Sequence, residues 1–404
     1  MVVSASLIFS GFTMVMPFLP LFIQTLGVDD PGEVAIWAGT VLGISPLCAA
    51  IFGPLWGRIA DRYGLRIMAL RIPLALSLIW LLTGFAQTVH QLFLLRALLG
   101  IFGGFNSFSI ALITQLSPQD RVGKAIGTLQ AVQILSAAVG PFLGGLLAGW
   151  VGIRNTFFAT SVMCLLSLVL FSIYYRDRPA PQPRTPKADA GTSSSIATVL
   201  RLPKFAAYAA MLFAVTVIDR SFTPVIPLLT SAQTAGATEA ARWAGLIISL
   251  AAFGESFSAW YSGRQILRAS PTRFLVWRLL FGIVTSLALI FANSVLQLLT
   301  LRLLLALLAG GVLTVTYTLA SRVIPASTRA SAFGILSSFS LLGGAIGPFA
   351  AGWLASARIQ WVFAADAMAY GLITLLVIRN DVGMEWGPGP TENYKEVVSP
   401  PEEL

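Results

Sequence analysis

Along this chain the apolar positions fall in long, nearly continuous runs, separated by short clusters of glycine, proline and charge. The runs approach the ~20 residues that a helix needs to cross a bilayer. Because they are continuous rather than alternating, they predict helices and not barrel strands. Twelve helical spans follow, at roughly 4–26, 35–56, 67–87, 91–115, 123–149, 155–175, 205–230, 242–262, 274–293, 297–320, 330–355 and 360–378.

Composition agrees with that pattern. The chain is 56% hydrophobic and 11% charged, with mean hydropathy +0.81, against about 25% charged in soluble domains. A net charge of +9 raises nucleic acid as a partner, but the basic residues sit in short loops between apolar runs, which is how a bilayer orients a chain. No nucleic-acid partner is expected. One set of loops carries Arg58, Arg62, Arg66 and Arg71, then Arg121 and Lys124, then Arg176, Arg178, Arg184, Lys187, Arg201 and Lys204. Arg264, Arg268, Arg273, Arg278, Arg322, Arg329, Arg379 and Lys395 lie on the same side. The opposite loops have only Arg154, Arg242 and Arg358, and the first of them holds Asp29, Asp30 and Glu33 with no cation. The arginine-rich side, with both chain ends, is therefore expected in the cytoplasm. Cys48 and Cys164 lie inside apolar runs without metal-ligand spacing, so they read as packing residues, and no metal or cofactor is expected. No charged stretch precedes the first run, so no cleavable signal peptide is expected.

An internal repeat divides the chain. Pro17 and Pro20 recur as Pro224 and Pro227, and Arg71 recurs as Arg278, all at a displacement of 207. Gly57-Arg58 recurs as Gly263-Arg264, and Arg96 as Arg302, at 206. Gly127 matches Gly334, and Gly140-Pro141 matches Gly347-Pro348, again at 207. Each half holds six spans and starts from the same side, so the repeats are parallel, related by a two-fold axis along the membrane normal, with a substrate path between them. The expected division is 1–175, a linker at 176–204 rich in Pro, Ser, Thr and Ala, a second bundle at 205–378, and a disordered tail at 379–404.

With these features in place, the chain resembles the major facilitator superfamily. Gly57-Arg58-Ile59-Ala60-Asp61-Arg62-Tyr63-Gly64-Leu65-Arg66 looks like that superfamily's signature loop between spans 2 and 3. Arg96 with Gly100, Gly103 and Gly104 is similar to its span-4 motif. Gly140-Pro141-Phe142-Leu143-Gly144-Gly145 resembles the span-5 motif of antiporters, with Ser136 where glycine is usual. Met16-Pro17-Phe18-Leu19-Pro20 is similar to span 1 of the bacterial twelve-span drug:proton antiporters. The resemblance implies an all-α membrane protein with twelve transmembrane helices in two pseudo-symmetric six-helix bundles, acting as a monomer in a bacterial inner membrane. It also implies that Asp61 ties spans 2 and 3 to span 11 when the transporter faces outwards, and that Arg96 influences proton transfer.

Each motif has its own physics. Gly57 and Gly64 permit a tight turn and close helix approach. Arg58, Arg62 and Arg66 either serve the conformational lock or merely satisfy the charge rule and bind anionic lipid heads. The second copy has Leu267 in place of the acid, so it keeps charge without the lock. Gly140-Pro141 is expected to interrupt backbone hydrogen bonding and kink span 5, while Gly144 and Gly145 admit a neighbouring helix.

Ionisable groups inside spans are costly and mark pathways or paired structure. Asp219, near the middle of span 7, is the leading candidate for a proton-coupling acid, because a carboxylate withdrawn from water binds a proton more readily; the alternative is an ion pair with another span. Its neighbour Arg220 points ~100° away around the helix and need not pair with it. Glu255 in span 8 is the second candidate. Arg96 is either a proton-transfer residue or a structural tie, and its mate Arg302 reads as structural. Asp366 reads as a cap of span 12, and His90 as an interfacial residue. Gln130 and Gln133, sharing a face of span 5, are cavity candidates, together with Asn106, Tyr317 and the Met14–Met16 region. Families that export cationic drugs often carry an acid in span 1, where this chain has Phe12, Thr13, Met14 and Met16.

The expected function is export of small amphiphilic, drug-like molecules in exchange for protons by alternating access, within a lipid bilayer. A metabolite symporter or lysolipid flippase is the alternative. A membrane-embedded enzyme would need a catalytic cluster, and His90 is the sole histidine. A receptor would not require the repeat.

Overall fold

The computed structural model describes residues 2–117, 121–174, 204–265, 271–324, 329–380 and 382, and every regular element among them is a helix. The linker up to 203, Leu267 and the tail beyond 382 lie outside the described residues. The first span comprises α1 (Val2–Val15), a 3₁₀ turn at Met16–Phe18 and α2 (Leu19–Gln24). Pro17 and Pro20 lack the N–H groups that a continuous helix there would use. Next come α3 (Pro31–Tyr63), α4 (Leu65–Phe85), α5 (Val89–Phe102), α6 (Phe105–Leu116), α7 (Val122–Val151) and α8 (Ile153–Tyr174). The second half contributes α9 (Phe205–Gln233), α10 (Ala237–Gln265), α11 (Pro271–Leu289), α12 (Val295–Leu308), α13 (Val312–Val323), α14 (Arg329–Ala357) and α15 (Gln360–Arg379).

Among the described residues, ten spans are long and apolar enough to cross a bilayer. The remainder are α5, apolar but 14 residues long, with α6 after it, and α10, which has the length but carries Glu239, Arg242, Glu255 and Arg264. The protein is an integral, multi-pass membrane protein. Local chemistry repeats along with the fold. Thr88 accepts from the Gln91 N–H at 3.3 Å while Gln91 accepts from the Gln87 N–H at 2.8 Å, a capping box at the start of α5. Ser294, Gln297 and Asn293 form the same box, at 3.3 and 2.9 Å, at the start of α12.

Two expectations about helix continuity are corrected. Spans 4 and 10 were expected as single helices, yet each is interrupted, at Gly103-Gly104 and at Gly310-Gly311. Gly104 (φ +83°) and Gly311 (φ +78°) adopt the left-handed conformation that only glycine takes without strain. By contrast, α7 runs on through Pro141 without losing its helical assignment. The carbonyls freed at the breaks are held by arginines that are themselves repeat mates. Arg71 donates to the Phe102 carbonyl at 3.1 Å while lying 3.6 Å over the Trp56 ring, whose Nε1 donates to the Ile101 carbonyl at 2.5 Å. Arg278 donates to the Leu308 carbonyl at 3.3 Å, to the Gly310 carbonyl and to Ser258 Oγ at 2.6 Å. A cation at the C-terminal end of a half-helix also meets the negative pole of its dipole.

The two halves meet along two seams of small residues. On α3 and α14, a Cβ at Gly39 would run into the Pro348 carbonyl and lie 2.9 Å from Gly352 Cα, and one at Gly43 would strike the Phe349 ring. On α7 and α10, Gly245 presses on the Pro141 carbonyl and Gly145 lies against Ala241 and Arg242. Both seams lie towards the Asp30 end of the molecule. Towards the arginine-rich end, a Cβ added at Gly53, Gly127, Gly263 or Gly334 would meet nothing within 4 Å. A cleft between the halves thus opens at that end.

Candidate functional site

Three ionisable groups converge on the second-half side of the cleft. Arg302, on α12, is nearly buried, its side chain 8% exposed, and its Nη2 lies 2.8 Å from Glu255 Oε1 on α10. The same nitrogen is 3.9 Å from Asp219 Oδ1 on α9. Asp219 and Glu255 are 40% and 35% exposed, so both carboxylates face the water of the cleft while the cation stands behind them. Arg302 also lies 4.4 Å over the Phe222 ring. Such a geometry desolvates the arginine and leaves the acids open to solvent, so protonating either acid weakens its hold on a charge that has no other exit.

Several sequence expectations change here. Asp219 is not buried but cleft-facing, and it does pair with its neighbour, Arg220 Nε lying 3.5 Å from Oδ2. Both residues sit on the cleft side, where flexible side chains close the gap left by their ~100° angular separation. Arg302, which read as structural, is the group that joins both candidate acids. Asp366 does not cap α15: it lies six residues past Gln360, is 4% exposed, and accepts from the Ser221 hydroxyl at 2.9 Å. No lone position in the sequence announces that Ser221–Asp366 contact, though Ser221 stands two residues from Asp219.

The remaining candidates are spread out. Arg96 is buried at 2% exposure, 4.7 Å over the Trp80 ring, apart from the acid cluster. Met14 is buried, with Gly144 pressed on its carbonyl, and Gly140 meets Thr13, so the span-5 glycines seat α7 on α1. Thr13 also donates to the Ser136 carbonyl at 2.7 Å. Met16 is half-buried at the 3₁₀ turn. Tyr317 is half-buried, within 3.1 Å of Ser340 Oγ and stacked on Phe333. Gln130 is exposed and Gln133 half-buried on α7. In the α3–α4 loop, Gly64 makes the turn at φ +84°, and Arg58 and Arg62 are exposed on the last turns of α3. The side chains of Asp61, Arg66 and Asn106, and the surroundings of Gly57, lie outside the described residues. His90 packs edge-on against Trp37 at 5.0 Å.

Comparison with known proteins places this geometry. The family model described as Major Facilitator Superfamily matches residues 1–295 and 220–402. The chain is 33% identical over 382 residues to the multidrug resistance protein MdtG of Serratia proteamaculans, covering 93% of this chain and 90% of that protein. It is 32% identical over 343 residues to MdtG of Escherichia coli, covering 84% and 83%. Among solved structures, a bacterial homologue of the human lysosomal transporter Spinster, in an inward-facing and occupied conformation, superposes with TM-score 0.78 at 18% identity, covering 96% and 97%. The nucleoside transporter NupG superposes with TM-score 0.71 at 14% identity, covering 96% and 98%. The cleft between two repeated helical halves, lined by these ion pairs, is that of a secondary transporter, and the chain belongs to the major facilitator superfamily.

Proposed function

We propose that this protein exports small, drug-like amphiphiles in exchange for protons, the bundles 1–175 and 205–378 rocking about the cleft as a monomer. The arginine-rich face is assigned to the cytoplasm, so the conformation described here is open to the inside. The observation that carries the coupling is Arg302 held between two solvent-facing carboxylates, Glu255 at 2.8 Å and Asp219 at 3.9 Å. The relatives named as multidrug resistance proteins support the cargo class. Cargo enters from the cytoplasm while Glu255 and Asp219 are ionised and paired. Once the cleft faces outwards, cargo leaves and a proton binds one acid, weakening its bond to Arg302; return inwards releases that proton. Each cycle moves one cargo molecule out and at least one proton in.

Reconstitution into vesicles with an imposed pH gradient tests the reading, using a fluorescent lipophilic dye as cargo. Gradient-driven transport is expected to fall at least about tenfold in Glu255→Gln and in Asp219→Asn, with cargo–cargo exchange retained, since exchange needs no net proton movement. Parent transport that ignores the gradient would refute antiport. An undiminished double variant would remove both acids from the mechanism.

A further inference from the structure

The halves treat their buried arginines differently. Arg96 and Arg302 are repeat mates, both buried, each lying over an aromatic ring. Arg302 has two carboxylates. Arg96 has none: its Nε, Nη1 and Nη2 are buried, without a hydrogen-bond partner among the described residues. The repeat register accounts for this. At the displacement of 207 that relates span 1 to span 7, Asp219 falls on Phe12, and at 206, relating α3 to α10, Glu255 falls on Ala49. Packing supports the register. A Cβ on Gly100 would lie 2.8 Å from Cys48 Cβ, and their mates meet likewise, a Cβ on Gly254 lying 3.1 Å from Ala306 Cβ. Both acid positions are apolar in the first half, yet the cation is kept.

No other acid of that half stands at its level. The acids of residues 1–175 are Asp29, Asp30, Glu33, Asp61 and Asp120. Ser45 marks the height of Arg96 on α3, its hydroxyl donating to the Arg96 carbonyl at 2.6 Å. At ~1.5 Å per residue, Glu33 lies roughly 18 Å along α3 in one direction and Asp61 roughly 24 Å in the other. Arginine stays protonated in proteins, and a buried charge without a partner is strongly unfavourable. Phe12 is half-buried, edge-on to the same Trp80 at 6.3 Å, and is the repeat mate of the cleft-facing Asp219.

We propose that Arg96, backed by the Trp80 ring that Phe12 also meets, binds the carboxylate-type anionic head of an exported amphiphile. The cargo thereby supplies the negative charge that the second half carries in its own side chains. A guanidinium offers a planar fork that matches an oxyanion two bonds at a time. The proposal rests on the exporter reading for what happens to the cargo next, but the site itself is a matter of equilibrium binding.

Titration calorimetry on the purified full-length protein tests it, with 1-naphthaleneacetate, its methyl ester and the corresponding naphthylmethyl-trimethylammonium cation as probes. The parent is expected to prefer the acid over the ester by about ten- to a hundredfold, the range of a charge-assisted contact, and to bind the cation no better than the ester. Arg96→Gln and Phe12→Asp should each abolish that preference, while Arg96→Lys restores part of it. Phe12→Asp places an acid where the second half has one, so it should also raise the melting temperature, and it keeps the test decisive if Arg96→Gln does not fold. Equal affinity of the parent for acid and ester, or a preference that survives Phe12→Asp, overturns the proposal. Binding needs no gradient, so loss of gradient-driven ester efflux in vesicles would count against the exporter reading alone.

Discussion

The seam between α3 and α14 offers a single substitution that acts on one conformation only. A Cβ at Gly39 would overlap the Pro348 carbonyl and stand 2.9 Å from Gly352 Cα and 3.1 Å from Gly352 N, all backbone atoms that no rotamer change can move aside. Gly39→Ala therefore forces α3 and α14 apart by about 1 Å to reach ordinary contact distances. Overpacking of this kind costs about 1–3 kcal/mol. The cost falls only on the conformation closed at the Asp30 end, since alternating access opens that seam in the other. At about 1.4 kcal/mol per factor of ten, the equilibrium should move roughly 5- to 150-fold towards the state closed at the arginine-rich face. A cysteine reporter reads this. With Cys48 and Cys164 replaced by alanine, Gly127→Cys or Gly334→Cys stands in open space and should react quickly with a water-soluble maleimide. Adding Gly39→Ala should slow that reaction in proportion to the lost population. Gly53→Ala is the control on the same helix: its Cβ meets nothing within 4 Å, and reactivity should stay within about twofold of the parent. Equal reactivity of the Gly39→Ala and Gly53→Ala proteins would refute the assignment of this seam to one state.

Two predictions concern stability. Removing the arginine at each helix break removes different numbers of hydrogen bonds, so Arg278→Met, which loses those to Leu308, Gly310 and Ser258 Oγ and leaves Gly310 only Ser258 as donor, should lower the melting temperature more than Arg71→Met, which among the described residues loses the one to Phe102. Each lost charged bond costs about 1.5–3 kcal/mol, and equal shifts would contradict the clamp. Ser221→Ala leaves the buried Asp366 carboxylate without its hydroxyl donor and should cost about 1–3 kcal/mol. Asp366→Asn, which can keep that bond, should melt close to the parent; the reverse order would show that Ser221 does not hold the acid.

Hydropathy made the spans legible, because a bilayer demands long apolar runs whatever the packing. The repeat was legible too, since prolines, glycines and arginines recur at displacements of 206 or 207. The helix breaks were not, because a positive φ at Gly104 or Gly311 leaves hydropathy unchanged, although the glycine pairs at 103–104 and 310–311 keep the same displacement of 207. The ion-pair centre was half legible. Asp219 and Glu255 stood out as acids in apolar runs, but that both meet Arg302 depends on the rotation of three helices about their axes. Neither the pattern of one helix nor its spacing fixes that rotation. Asp366 was misread because its place in α15 looked terminal, whereas its burial depends on α9 packing across it. Met14 looked like cavity lining for a similar reason; its helix turns it onto α7 instead.

One helix mechanically joins the seam to the charges. On one face α14 offers Gly352 and Pro348 to Gly39 of α3. On another face a Cβ at Gly343 would lie 2.5 Å from the Phe213 carbonyl of α9, and one at Gly347 would lie 2.6 Å from the Val217 carbonyl and 3.1 Å from Arg220 Cβ. At these glycines no side chain separates α14 from α9, and both helices belong to the same half, so they travel together when the halves rock. When the α3–α14 seam opens, α9 travels with α14, carrying Asp219 and Arg220 next to Gly347. Glu255 arrives by the other route. It stands ten residues along α10 from Gly245, which rests on the Pro141 carbonyl of α7, so its helix is itself the second seam. Arg302 thus sits where two seam-linked helices present their acids. Opening the seams must displace α9 and α10 relative to the first half together, which is why a proton at that centre and closure at the Asp30 end belong to a single equilibrium.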